Sequence, residues 1–150
     1  MPHKIFINLN LSKKIKKRLI KLIDFIKKSN PNFKSSENSL HCTFVFIGDE
    51  LNNKEEILQD LSNINNLGII DKIKLLECSI LSRQTVVLID VPEEWKKKQI
   101  DINSKYGTSQ HEWQPHITIG RGGIPNIPSI ETEYSLKFEL NLRRGKELLQ

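Results

Sequence analysis

Ile5, Ile7 and Leu9 alternate with Phe6, Asn8 and Asn10, the two-residue period of a β-strand. Ser12 then stands where a helix cap is needed, ahead of an apolar stripe at Ile15, Leu19, Leu22 and Ile26. Asn30-Pro31 ends that helix, and a second strand is predicted from about Leu40 to Ile47. A second helix follows, with Asn53 and Glu56 spaced as a capping box and Ile57, Leu61 and Ile64 facing inward. Lys72 to Ile80 and Thr85 to Asp90 read as a hairpin joined at Ser82-Arg83. Pro92, with Glu93 and Glu94 after it, suits the start of a third helix, which Tyr106-Gly107 closes. His116 to Gly120 is a further strand, and Ser135 to Leu142 a last one.

The order carries a coarse symmetry. Strand, helix and a strand bearing His-x-Thr come first; hairpin, helix and a strand bearing His-x-Thr come second. Two lobes side by side with a cleft between them are expected, within a single domain spanning 1–150.

The two motif strands are Leu40-His41-Cys42-Thr43-Phe44-Val45-Phe46-Ile47-Gly48 and Pro115-His116-Ile117-Thr118-Ile119-Gly120. Strand side chains alternate between faces, so His41 shares a face with Thr43, and His116 with Thr118. Cys42, Phe44 and Phe46, like Ile117 and Ile119, are expected on the opposite face, toward the helices. Displacement at phosphorus needs one group to take a proton from the nucleophile and another to give one to the leaving oxygen. Imidazole does either near neutral pH. The threonine hydroxyls suit the non-bridging oxygens, where negative charge sits in the transition state. Only five threonines occur in the chain, so two of four histidines meeting one at this spacing by chance is on the order of one per cent. The alternative is a pair of ordinary half-buried histidines. Zinc is disfavoured, because neither strand holds a third ligand or a carboxylate-rich spacing; no metal and no cofactor is expected.

Charge modifies this picture only slightly. The net charge of +5 leans toward an anionic partner, yet eighteen lysines against five arginines lie mostly on predicted helices. The two cysteines, Cys42 and Cys78, are too few for a disulfide scaffold and point to a reducing, cytoplasmic setting. Met1-Pro2-His3-Lys4 leads straight into a strand without an apolar leader segment. The longest apolar run, Phe44 to Gly48, is far short of a membrane span. Neither a membrane nor an obligate protein partner is inferred.

The paired motifs resemble the 2H (two-histidine) phosphoesterase superfamily, defined by two His-x-Ser/Thr strands, and the resemblance runs over most of the chain. It implies an α+β bilobal fold, two pseudo-symmetric antiparallel-sheet lobes with outer helices and a central cleft. It also implies metal-free cleavage of phosphodiesters, with His41, Thr43, His116 and Thr118 at the catalytic positions. Phe46-Ile47-Gly48 and Gly120-Arg121 resemble the bacterial and archaeal RNA 2′,3′-cyclic phosphodiesterases. Thr85 to Ile89, and the stretch from Tyr106 through Trp113 to Thr118, look more like the phage anti-CBASS phosphodiesterases. Those enzymes degrade the cyclic oligonucleotide signals of bacterial antiviral defence, in the host cytoplasm. Glu133-Tyr134 is similar to a Glu-Tyr pair in their tails, which makes Glu133 a substrate-binding candidate.

Three readings of function follow. The leading one is cleavage of 3′-5′ bonds in cyclic di- or trinucleotides, as in immune evasion; next is RNA 2′,3′-cyclic or 2′-5′ end processing. The third is a module that binds nucleotide without cleaving it. Trp113, just before the second motif, either stacks on a base or closes the core edge. Phe6 either lines the cleft floor or packs beneath it, and Arg121 either steadies a phosphate or sits solvated at the rim. Trp95 reads as packing, His111 and His3 as loop and terminal residues, and Cys42 as core.

Overall fold

A computed structural model describes residues 4–122 and 130–149; His3 lies outside them. Strand β1 (Ile5–Leu9) is buried along its whole length. Helix α1 (Lys13–Ser29) starts at Ser12, whose hydroxyl accepts the Ile15 amide, and buries Ile15, Leu19, Leu22, Ile23 and Ile26. A two-residue strand β2 (Lys34–Ser35) and a 3-10 turn (Glu37–Ser39) lead to β3 (Cys42–Gly48). Helix α2 (Lys54–Asn65) buries Ile57 and Leu61. The hairpin is β4 (Ile70–Leu81) and β5 (Gln84–Asp90), then come α3 (Glu93–Tyr106) and β6 (His116–Arg121). The chain ends in β7 (Thr132–Lys137), β8 (Leu140–Arg144) and β9 (Glu147–Leu148).

These strands make two sheets, ordered β3-β1-β8-β9 and β2-β6-β5-β4-β7. The expected symmetry is visible in them: β3 beside β1 in one sheet corresponds to β6 beside β5 in the other, each pair antiparallel with a helix in its connection. Both sheets turn their apolar faces into one core, to which Cys42 and Phe44 of β3 and Ile117 and Ile119 of β6 all belong. At its centre Trp95 of α3 stacks on Phe138, 4.6 Å between ring centroids.

Four details differ from the sequence expectation. The single strand expected over Ser135–Leu142 is two, β7 in one sheet and β8 in the other. Its alternation hides the crossing, since Leu136, Phe138, Leu140 and Leu142 all reach the same core. Asn65 pins the crossing by holding both the amide and the carbonyl of Leu140, at 2.8 and 3.0 Å. Phe46 is 49% exposed rather than facing the helices. The β1–β3 register slips at Ile7/Asn8, so Phe44 and Val45 are both buried and the phase of the strand flips beyond them. Asn53 caps α2 without a side-chain bond. His41 lies just ahead of β3, not inside it. The Ser82-Arg83 connection is a tight turn with both residues at positive φ, 47° and 68°, the conformation a two-residue hairpin needs.

Candidate active site

Strands β3 and β6 meet at the seam between the two sheets without pairing to each other. The His116 backbone N–H reaches the Cys42 thiol, and Trp113 Nε1 donates to the Thr43 carbonyl at 3.0 Å. On each strand the motif pair alternates with core residues: His41 and Thr43 with buried Cys42 and Phe44, His116 and Thr118 with buried Ile117 and Ile119. The four motif residues are all half-buried.

Each histidine is held in the same way. Nδ1 of His41 lies 2.7 Å from the Ser39 carbonyl, and Nδ1 of His116 lies 2.7 Å from the Gln114 carbonyl. A carbonyl only accepts, so each Nδ1 carries the proton and each Nε2 keeps its lone pair. Two residues back along the chain, the backbone therefore fixes ring orientation and tautomer for both. The Thr118 hydroxyl donates to Gln84 Oε1 at 3.3 Å, from the neighbouring strand. Gly120 is required behind this strand, since a Cβ there would collide with the Phe33 ring and the Lys34 carbonyl where β2 closes over β6.

Phe6 packs against His41, ring centroids 5.1 Å apart and planes tilted by 36°, and forms part of the cavity wall beside it. Trp113 sits at the core edge: its ring meets Phe44 edge-on at 5.1 Å while its N–H is spent on Thr43. Arg121 ends β6 at an exposed position opposite Gln84 and Lys34. Glu133 is on β7, three strand spacings from β6 along the sheet, and pairs with Lys72 at 3.2 Å. It is not brought to the histidines. His111 is exposed in the loop before Trp113. Cys42 is fully buried, and burial pushes its thiol up to about 12, partly offset by the His116 N–H. It is core, with no reactive thiolate.

One residue absent from the sequence reading belongs to the cleft wall. Arg143 on β8 lies opposite Phe6 of β1, on the face that carries Asn8. Its Nε donates to Asn8 Oδ1 and its Nη1 to the Lys146 carbonyl, both at 3.2 Å. The signal was the alternation Leu140, Leu142 inward and Asn141, Arg143 outward. That alternation became informative only once β8 was seen beside β1. Among the described residues no three His, Cys, Asp or Glu side chains gather as a metal site would require. No helix among them is long and apolar enough to cross a membrane.

The architecture is the bilobal 2H phosphoesterase fold. A crystal structure described as a phosphoesterase matches 100% of this chain and 97% of its own, with a TM-score of 0.71 and 20% identity. Escherichia coli LigT, solved with ATP, matches 100% and 96%, with a TM-score of 0.68 and 20% identity. The MHV ns2 PDE domain matches 94% and 99%, with a TM-score of 0.65 and 17% identity. No family model matches the sequence, and no curated protein matches it.

Proposed function

We propose that this chain is a metal-independent phosphodiesterase acting on nucleotides, with His41 and His116 as its acid–base pair. The observation that carries the reading is the matched pair of Nδ1 bonds to backbone carbonyls. In each imidazole they put the proton on Nδ1 and the lone pair on Nε2. One Nε2 takes the proton of the attacking oxygen, a neighbouring 2′-hydroxyl or a water, as its bond to phosphorus forms. The other imidazole, protonated, gives its Nε2 proton to the departing 5′-oxygen as the second bond breaks. Thr43 and Thr118 donate to the non-bridging oxygens; Thr118 does so by exchanging its bond to Gln84.

The nucleotide class is supported by LigT, which shares the fold and was solved with ATP, with NADP+ and with 3′-AMP. Within it we favour the 3′-5′ bonds of cyclic di- and trinucleotides, on the resemblance around Tyr106 to Thr118. A cavity of about 740 Å³ beside His41 gives room for a nucleotide unit. Gly120-Arg121 after the second motif favours the second reading, an RNA 2′,3′-cyclic end. The test is incubation with cyclic di- and trinucleotides and 2′,3′-cyclic mononucleotides in excess EDTA, with products read by chromatography. Turnover of the cyclic oligonucleotides in chelator is expected. Preferred opening of the 2′,3′-cyclic end selects the second reading, and a requirement for a divalent ion overturns the acid–base assignment. Binding without turnover of any phosphodiester leaves a nucleotide-sequestering module.

A further inference from the structure

The cavity beside His41 has a cationic and polar lining with an apolar flank. Three cations face it, Lys16, Arg143 and Lys146, together with three asparagines and Ser39, and no Asp or Glu among the described residues. Several lysines elsewhere are ion-paired, among them Lys27 with Glu37, Lys72 with Glu133 and Lys105 with Asp60. None of the ion pairs among the described residues involves the three cations of the cavity.

Arg143 is the anchored member. Asn8 and the Lys146 carbonyl hold its Nε and Nη1, which fixes the plane of the guanidinium and leaves the Nη2 edge for a ligand. Lys16 and Lys146 add mobile charge from two other segments, the first turn of α1 and the β8–β9 turn. Apolar side chains complete the wall: Phe6, Leu9, Leu11 and Leu40. A planar fork, two ammonium groups and an apolar flank suit a phosphate attached to a ribose or a base, one phosphate being too small for the whole.

We infer that this cavity, which His41 borders, is a subsite for a second phosphate of the substrate, beside the phosphodiester that the histidines act on. The inference rests on the proposed phosphodiesterase reading and deepens it: the substrate carries at least two phosphates, as linear or cyclic oligonucleotides do and a 2′,3′-cyclic mononucleotide does not.

The experiment compares one-phosphate with two-phosphate ligands on the intact protein. Adenosine 3′,5′-bisphosphate and 3′-AMP are used as inhibitors of bis(p-nitrophenyl) phosphate hydrolysis; cyclic di-AMP and linear pApA are used as substrates. The bisphosphate should inhibit at least tenfold more tightly than 3′-AMP, with an advantage that shrinks as salt is raised. Arg143→Gln should cut that advantage tenfold or more and raise KM for cyclic di-AMP and pApA more than it lowers kcat. Arg143→Lys should recover part of it. Arg143 also ties β8 to β1, so the Lys16→Gln/Lys146→Gln double variant repeats the test without touching those bonds. Equal inhibition by the two ligands in wild type, or variants losing both equally, overturns the subsite. If nothing is hydrolysed, direct calorimetric titration takes the place of inhibition. An Arg143-dependent preference for the bisphosphate then supports the subsite while the phosphodiesterase reading fails.

Discussion

The two His-x-Thr strands are alike at the histidine and unlike in what supports them. His116 heads β6, which pairs with β5 along its length and with β2 at Gly120 and Arg121. His41 heads β3, an edge strand paired only with β1. The outer side of β3 is closed by side chains and loop backbone instead: Gln99 Nε2 on the Phe44 carbonyl, Trp113 Nε1 on Thr43, and the Thr108 amide on Phe46, each at 3.0 Å. The walls differ as well. Asn8 lies beside Thr43 where Val86 lies beside Thr118 in the corresponding place. One local device, the Nδ1 bond to the carbonyl two residues back, is thus preserved on two different scaffolds. The proposed chemistry rests on the device, and tolerance to mutation is expected to follow the scaffold.

The largest effect tests the likeness. His41→Ala and His116→Ala should each lower kcat by about 10²–10⁴-fold while leaving the circular dichroism spectrum unchanged. The double variant should be little worse than the worse single one, because the pair acts as a unit. Near-normal turnover in either single variant would break the equivalence of the strands. In wild type the rate should rise and fall with pH, one imidazole being needed free and the other protonated. Its limbs belong to the pair and not to either residue.

The next effect tests the difference in scaffold. Trp113→Ala removes an edge-on contact with Phe44 and the donor to Thr43, and should cost about 3 kcal/mol of stability. As a strut, Trp113 affects small chromogenic diesters and oligonucleotides alike, together with a lowered melting temperature. A loss confined to oligonucleotides, with unchanged melting, would instead make Trp113 a base-stacking wall. Gln99→Leu is smaller. It keeps the volume at a buried position, 5% exposed, but deprives the Phe44 carbonyl of its donor, at about 1–3 kcal/mol. Gln99 supports β3 directly, so the substitution should perturb His41 more than His116, as read from their imidazole NMR signals.

What was legible in the sequence follows the same division. The shared face of His41 with Thr43, and of His116 with Thr118, was legible because period-two alternation is local. The hairpin and three helices were legible from periodicity and turn chemistry. The crossing from β7 to β8 was not, because Leu136, Phe138, Leu140 and Leu142 keep one rhythm while the strand changes sheets. Phe46 was misplaced by a register slip that leaves no mark in the sequence. Arg143 was invisible because its meaning depends on sheet order, which places the end of the chain beside its beginning. Glu133 shows the converse, a residue given a role by resemblance that sheet order sets three strands from the histidine.

The smallest effect concerns the residue behind each motif histidine, Cys42 in one strand and Ile117 in the other, both fully buried. Only the cysteine titrates. Burial lifts its thiol from about 9 to about 12, so the fold favours the protonated form. Below pH 9 the thiol is protonated in both folded and unfolded chains and contributes no pH dependence. Between pH 9 and 12 the unfolded chain loses the proton while the folded chain keeps it, so stability falls as pH rises. The slope is about 1.4 kcal/mol per pH unit from this one group. Cys78, lifted to about 11 by burial and then by Glu77, adds a similar slope over a narrower range. Cys42→Val makes the first strand resemble the second, should cost less than about 1.5 kcal/mol at neutral pH, and should remove the part of the alkaline slope that belongs to Cys42. Urea titrations of both proteins at pH 7, 9 and 10.5 measure this directly. Iodoacetamide provides the chemical check, expected to label Cys78 before Cys42 in the folded chain and both together in urea. Labelling of Cys42 first at pH 8 would mean that the thiol is open to the cleft, and that the backs of the two motif strands are not alike.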